Sequence, residues 1–414
     1  MVAYGPGTRL RDGGPVAPGA SGDEEREHRL VQALPALLTS AARIPSLAAK
    51  YEKWQEPGRT PVLSELPVMT RAELVRATEE TTRLPEGAGP ALLWAEGGTL
   101  AEPGLTLTPE HLFAPQIRWT WQPLGPRDVL LNLHPPGTLR PDHYLFNRFA
   151  AESGASTFAF GRPPAGAWDD WQEFFGRQGV TAVAAPPETL ARLIGSTSSG
   201  RPLPWLRTLL LGGTTHDTTS DAVIAECFPY TEVWRLYGAP GAWVVGQRGP
   251  HCLPDIYHPL PHQYVEIVDG NLLVTTLDTG KTPPLIRYET RDRGEFTACT
   301  CALRTPAIRV LGTTAPYFRF HGRTFSAREI AELAISTEEV AAAQVAVNGE
   351  QRIQLRVRLV PGVPDDHHTS EWIRFQVLRG HLALAAGLAD QPELFDVVVV
   401  DELNSTSDLV SDEF

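Results

Sequence analysis

Lysine is scarce in this sequence. Lys50, Lys53 and Lys281 are the only three among 36 basic residues; the rest are arginine. Chemistry that needs a lysine therefore has three candidates, and none lies beyond position 281. Cysteine is sparse too, with four in 414 residues, and methionine sparser still, with two. So few cysteines, with no mark of secretion, exclude a disulfide-stapled scaffold. No apolar run approaches the roughly 20 residues that cross a bilayer, so no membrane-spanning helix is expected. Residues 1–25 hold no apolar leader core; rich in glycine and proline, they read as a disordered lead. The expected location is the cytoplasm. A net charge of −13 disfavours nucleic acid and anionic membranes as partners. There is no G-x-S-x-G elbow for a serine nucleophile. The GSTSSG run at 195–200 lacks the lysine that a phosphate loop needs.

What is present suits an α/β enzyme. A chain of 414 residues with 42% hydrophobic content can build two or three domains around a large core. Residues 24–54 have helical periodicity, and Thr70 with Glu73 three positions on forms a capping-box pattern. Apolar strands then alternate with helical stretches from residue 128 to residue 239, which predicts a largely parallel sheet covered by helices. From Tyr257 to Thr276 the pattern is mostly β, with a turn at Asp269-Gly270. Beyond Gly312 the order helix, hairpin, helix, strand predicts a small α+β domain, with a turn signal at Asn348-Gly349. The expected division is a lead over 1–25, a body over 26–311 and a C-terminal domain over 312–414.

Three of the four cysteines gather around one β stretch. The spacing is Cys252-x5-His258, then a sheet-like segment, then Cys299-x-Cys301. Thiolate and imidazole ligands suit a closed tetrahedral zinc site. Buried, inert thiols are the other reading of the same residues.

The segment between the two ligand pairs, GNLLVTTLDTGKTPPLIRYETRDRGEF, carries a resemblance. It is similar to the G-x-L-x-V-T-T-L and P-L-I-R-Y-x-T-G-D block of phenylacetate–CoA ligase-like and capsule-biosynthesis ligase-like proteins. These form a branch of the acyl-adenylate-forming, or AMP-binding, superfamily. The resemblance covers nearly the whole chain after residue 28. It implies a large N-terminal α/β body, a small C-terminal α+β domain, and a structural zinc at Cys252, His258, Cys299 and Cys301. In AEGGTLAEP, Gly97, Gly98, Thr99 and Pro103 match the family's phosphate loop, whereas Leu100, Ala101 and Glu102 depart from it. Gly212 and Gly213 match a G-G-E strand end, with Thr214 in place of the glutamate. Tyr237 and Gly238 match Y-G-x-T-E, implying an aromatic platform for adenine; Pro240 and Gly241 replace the Thr-Glu pair whose glutamate holds magnesium. Asp292 matches the carboxylate that accepts the ribose hydroxyls. Gly312 and Gly322 keep the hinge spacing, but Thr313 and Ala315 replace its arginine and its first aspartate. The C-terminal segment DELNSTSDLVSDEF has no lysine where the family places its catalytic one.

The losses fall on groups that neutralise phosphate charge, so weak or absent binding of ATP and magnesium is expected. His134, after a strand in the region of the acyl pocket, is a candidate substrate contact or base; a structural histidine is the alternative. Trp234 and Trp243 flank the Tyr237 motif and are candidate walls of an aryl pocket, or core. Three functions follow as expectations. The first is a divergent ligase that activates a carboxylic acid, aryl by preference, and passes it to an amine, thiol or carrier. The second is an ATP-independent relative acting on a pre-activated or carrier-bound acyl substrate. The third is a non-catalytic partner in a biosynthetic complex. The chain is expected to work on a small acyl or aryl molecule, as a monomer or homodimer.

Overall fold

The computed structural model describes residues 22–55, 61–84, 91–96, 104–136, 141–161, 168–186, 189–190, 203–213, 224–239, 241–278, 282–301, 303, 305–313, 317–320, 323–348, 352–381, 384–385, 388, 391–403 and 409–411. The expected lead lies outside them except at its end: helix α1 (Gly22–Ala41) opens at Gly22, so residues 22–25 are helical. α2 (Pro45–Tyr51) follows, starting on a proline whose missing N–H costs a first helical turn nothing. α3 (Arg71–Thr82) begins as the sequence specifies, since Thr70 and Glu73 form the reciprocal capping box.

A hairpin comes next, with β1 (Ala91–Glu96) antiparallel to β2 (Gly104–Pro109). After α4 (Ala114–Thr120) the chain enters a sheet of alternating parallel strands and helices. These are β3 (Val129–Asn132), α5 (Asp142–Glu152), β4 (Ser156–Ala159), α6 (Trp168–Arg177), β5 (Ala182–Ala184), β6 (Thr208–Gly213) and β7 (Glu232–Ala239). Their order is β4-β3-β5-β6-β7, all parallel. Parallel strands are buried on both faces, and the side-chain alternation shows it. Leu130 and Leu210 enter one core with Trp121, Phe146 and Phe149, while Leu131, Leu209 and Leu211 enter the other with Phe175.

The same sheet continues with antiparallel strands. These are β8 (Trp243–Arg248), β9 (Ile256–Pro259), β10 (Gln263–Val268), β11 (Asn271–Thr276), β12 (Tyr288–Thr297) and β13 (Ala307–Thr313). The 11 strands run β10-β11-β12-β13-β9-β8-β7-β6-β5-β3-β4. The turn between β10 and β11 is Asp269-Gly270, both at positive φ (52° and 78°), as its sequence requires. This half curls on itself. Tyr237 on β7 touches Asp292 on β12 although three strands separate them in the ladder. Gln263 on β10 donates to the carbonyls of Ala242 and Val244 at the start of β8, at 3.2 and 3.0 Å, closing the curl. Its interior holds Val245, Tyr257, Val265, Leu272, Val274, Tyr288, Ile308 and Val310, packed with α1–α3.

The residues after β13 form a smaller unit. β14 (Tyr317–Phe320) and β15 (Arg323–Ser326) make a hairpin. α7 (Ala327–Ile335), β16 (Val340–Val347), β17 (Ile353–Leu359), α8 (His367–Gly380), β18 (Phe395–Val399) and β19 (Leu409–Ser411) follow. The sheet order is β18-β17-β16-β19, over a core of Phe320, Phe325, Ile330, Val345, Leu355, Ile373 and Phe395. The hairpin signalled at Asn348 exists, with Val347 opposite Ile353, and the Asn348 side chain accepts from the Arg352 N–H at 2.9 Å. Gly349 lies outside the described residues. Gly312, the expected boundary, is within β13 and opposite Arg293, so the large sheet runs one residue further, to Thr313. No described helix is long and apolar enough to cross a membrane.

Candidate functional site

Register brings the four expected metal ligands together. Cys252 lies in the turn before β9, His258 within β9, and Cys299 and Cys301 in the loop from β12 to β13. Because Tyr257 on β9 faces Ile308 on β13, the two loops meet at one end of the pair. The four ligand atoms all lie within 4.8 Å of one another. The Nε2 atom of His258 is 3.2 Å from Cys301 Sγ, and its Nδ1 is 2.9 Å from the Thr305 hydroxyl. Hydrogen bonding at Nδ1 fixes the ring and leaves Nε2 to serve as a ligand. Burial lowers the His258 pKa, which favours the neutral ring that metals bind. Burial pushes Cys252 up to about 12 and also raises Cys301. Cys299 moves down although burial opposes it, because the Cys301 backbone and neighbouring thiols hydrogen-bond its thiolate. Three thiols this close cannot all ionise against one another, and a cation would remove that penalty.

Tyr237 and Asp292, the residues that the resemblance assigns to a nucleotide, contact each other. Both are buried, 3% and 7% exposed. The Tyr237 hydroxyl donates a hydrogen bond to Asp292 Oδ2. The carboxylate expected to accept ribose hydroxyls thus accepts from a phenol of its own chain. The Tyr237 ring is tilted against Tyr257 at 5.3 Å. Burial, then Asp292, holds the phenol pKa far above its ordinary value, so it keeps its proton. Gly238 permits a close crossing, since a Cβ there would come 2.6 Å from the Trp243 carbonyl.

Gly241, which stands where the resemblance places a magnesium-binding glutamate, is crowded. Met69 bridges to Tyr288, and the capping box starts α3 two residues later, which delivers Leu74 against Gly241. A Cβ on Gly241 would lie 2.7 Å from Leu74 Cδ2 and 2.7 Å from Tyr288 Oη, and φ is +80°. No side chain fits there without displacement. The adjoining cleft, lined by Trp243, Phe113, Thr108 and Asp278, holds about 40 Å³, room for a few waters.

The other sequence candidates separate. Gly97, Gly98 and Thr99 lie outside the described residues, in the connection between β1 and β2. The same holds for Thr214, Pro240, Lys281, Ala315 and Gly322. Gly212, at the end of β6, has the Phe146 ring 3.4 Å from where a Cβ would be; Gly213 follows in the same strand. His134 is buried and stacks on that same Phe146 at 4.9 Å, and its carbonyl lies 2.6 Å from His143 Nδ1. His134, Gly212 and Tyr237 therefore share the carboxyl ends of β3, β6 and β7, where open α/β sheets bind ligands. Trp243 lines the small cleft and donates to the Leu112 carbonyl at 3.3 Å. Trp234 sits toward the other end of the β7–β8 pair, edge-on to Trp121 at 6.3 Å, so the two tryptophans do not form one wall. Lys50 bonds Glu73 Oε1 at 2.5 Å and the Val68 carbonyl at 2.9 Å; Lys53 lies over the Trp54 ring. Both are committed to structure.

One buried group had no sequence signal. His262 is fully buried and stacked on Phe113 at 4.4 Å, with no hydrogen-bond partner for either ring nitrogen among the described residues. Burial, then Arg29 and His111, lowers its pKa to about 3. Nothing in the sequence separates it from the eleven other histidines.

No protein-family model matches the chain, and no curated protein sequence does. Solved structures do. A 2-hydroxyisobutyryl-CoA ligase with 2-HIB-AMP and CoA in the thioesterification state superposes with a TM-score of 0.70 at 15% identity, over 94% of this chain and 90% of that one. The same ligase in the postadenylation state gives 0.59 at 14% identity, over 98% and 95%. A malonyl-CoA ligase complex with methylmalonyl-CoA and AMP gives 0.52 at 17%, over 76% and 71%. The chain has the fold of the acyl-adenylate-forming ligases. At this identity the likeness establishes the fold alone.

Two outcomes follow from this geometry. Tyr237→Phe removes a donor from a buried carboxylate and is expected to cost about 1–3 kcal/mol in denaturant unfolding; an unmoved midpoint would show that the contact contributes nothing. His262 makes stability acid-sensitive. Above pH 6.5 the unfolded and folded rings are both neutral; between 6.5 and about 3 only the unfolded chain takes up the proton. Stability is therefore full above 6.5 and falls as pH falls, by about 1.4 kcal/mol per unit from this group. His262→Phe should flatten the drop between pH 6.5 and 5.5, measured by urea unfolding at each pH.

Proposed function

We propose that this chain transfers an acyl group that arrives already activated as a thioester, and does not itself form an acyl adenylate. The carrying observation is the Tyr237–Asp292 hydrogen bond, which engages Oδ2 of the carboxylate that the ligase resemblance assigns to ribose. The filled niche at Gly241 supports the same reading, because a magnesium-binding glutamate has neither the side chain nor the space it needs. Lys50 and Lys53 are held elsewhere, and no lysine follows 281.

The reaction needs no nucleotide. An amine or thiol acceptor attacks the thioester carbonyl, its bond to carbon forms, and the carbon–sulfur bond breaks. The acceptor's proton passes to the departing thiolate, leaving acylated acceptor and free thiol. The substrate is a small acyl or aryl thioester of coenzyme A or of a carrier. The carboxyl ends of β3, β6 and β7 are the place for it, with His134, His143 and Asp142 among the titratable side chains there.

Zinc at Cys252, His258, Cys299 and Cys301 completes the reading. Four protein ligands leave no open position for water, so the metal is structural. Strand β9 shows why a staple is useful. It is joined to β13 by two registered residue pairs and to β8 by two. In the backbone ladder β10 to β13 join the rest of the sheet through that short strand, and the ligands sit on it, in the turn before it and on the loop it faces.

Two measurements test these statements. The full chain, given a panel of aliphatic and aryl acyl-CoA thioesters with hydroxylamine as a surrogate amine, is expected to release free thiol. It should catalyse no acid-dependent exchange of pyrophosphate into ATP; such exchange would restore the ligase reading and end this one. Protein purified without added metal should contain one zinc per chain. Cys301→Ser should lose the metal and unfold at lower temperature, since metal bound only by the fold stabilises it. Metal-free protein with three freely titratable thiols would remove the zinc assignment.

A further inference from the structure

The outer face of α8 carries an exposed aromatic pair. Its inner face is ordinary, with Thr369, Ile373 and Val377 buried in the C-terminal core. On the outer face stand His368, Trp372, Phe375 and Arg379, all exposed. Their spacing of 4, 3 and 4 keeps them on one stripe of a helix. Trp372 and Phe375 are 41% and 55% exposed, and their rings stack at 6.1 Å and 26° to form one platform. Isolated exposed apolar residues are normal, but a stacked aromatic pair at the centre of a helix is an anchor looking for a partner.

The stripe reads the same in both directions. α8 runs from His367 to Gly380 over 14 residues, and Trp372 and Phe375 straddle its midpoint. We propose that two copies of the chain associate through α8, antiparallel, about a two-fold axis through that midpoint. Trp372 then meets the partner's Phe375, and Phe375 meets the partner's Trp372, as an isologous interface requires. Helical side chains lean toward their own N-terminus. Arg379 therefore reaches back to the level of Gln376, which in this register faces the partner's Glu371. Glu371 is exposed and only 3.6 Å from Arg374, so it can accept a second guanidinium. The contact thus has aromatic rings at its centre and opposite charges toward its ends, each made twice.

Room exists beside the stripe. A groove of about 450 Å³ runs between α8 and the end of α7, lined by Trp372, Gln376, Arg379, Leu333 and Glu338. Gly380 sets its floor, since a Cβ there would come 2.6 Å from Leu333. The partner's side chains can occupy it without backbone movement. A helix of 14 residues is about 21 Å long, and a pair of them covers less than the about 800 Å² per partner of a standard interface. The dimer is accordingly reversible and concentration-dependent.

Sedimentation equilibrium of the full chain over about 1–100 μM tests it, a range that spans micromolar association. The expected mass rises with concentration from the monomer value of 45.3 kDa toward twice that. Phe375→Glu, Arg379→Glu and Glu371→Arg should each weaken association by about tenfold or more. All three sites are exposed, so near-ultraviolet dichroism should confirm an unchanged fold. The Arg379→Glu, Glu371→Arg double variant should regain association, which loss of fold cannot imitate. A monomer throughout the range overturns the proposal. So does a dimer that Phe375→Glu leaves intact, or one that the double variant fails to restore.

Discussion

The contact between Tyr237 and Asp292 is the constraint on which the rest of the large sheet depends. It joins β7, the last parallel strand, to β12, deep in the antiparallel half. A flat sheet would hold those strands about 19 Å apart at the usual spacing. The hydrogen bond can form only because the antiparallel half curls. A buried carboxylate demands donors, and a buried phenol demands an acceptor. Each group satisfies part of the other's need, and burial keeps the phenol protonated so that it remains a donor. Gln263 closes the same curl from the other side, with Thr276 holding its oxygen at 2.9 Å. The polar residues of the curl therefore set its shape, while Val265, Leu272, Val274 and Ile308 fill it.

The fold has one thin place, and the Cys3His cluster sits on it. β9 has two registered pairs on each side, whereas β6 and β7 share six. Hydrogen bonds in such a short strand add little net stability, about 1 kcal/mol each. Arg309 adds ion pairs to Asp255 at 2.8 Å and Glu295 at 2.7 Å across the same loops, but these are partly exposed and weak. The proposed zinc, held by Cys252, His258, Cys299 and Cys301, would be the strongest tie available there, since those four side chains gather within 4.8 Å of one another.

Much of this is legible in the sequence, for reasons that differ by residue. Thr70 and Glu73 announce α3 because a capping box is a local, reciprocal pattern. Asp269-Gly270 announces its turn because two positive φ values in succession leave few residue choices. The clustering of Cys252, His258, Cys299 and Cys301 is legible because cysteine is rare here and its grouping is therefore informative. The apolar runs of β3, β5 and β6 announce buried parallel strands. The hairpin of β1 and β2 is not legible, since its connection reads as glycine-rich loop and its pairing is decided in space. The engagement of Asp292 is not legible either. Tyr288, Thr290 and Asp292 stand at alternate positions of β12 and are all buried, as in any half-buried strand. Nothing local tells a carboxylate in that pattern from a ligand-binding one until the curl brings Tyr237 to it. The separation of Trp234 from Trp243 has the same origin, because the strand pairing sends them to different ends of the β7–β8 ladder.

The distribution of change across the chain has a physical direction. Positions that shape backbone are kept: Gly238 allows the crossing over Trp243, and Gly212 allows Phe146 to approach. Positions that the ligase resemblance assigns to nucleotide and magnesium instead carry packing contacts: Leu74 and Tyr288 lie beside Gly241, and Tyr237 donates to Asp292. A site that had merely lost its ligands would be left with cavities and unpaired polar atoms, each costing stability. At the described positions the gaps have closed around new contacts. Under the proposed nucleotide-independent reaction, a ribose at Asp292 would have to compete with Tyr237 and loosen a joint that helps hold the sheet in its curl, so binding there would act against the fold.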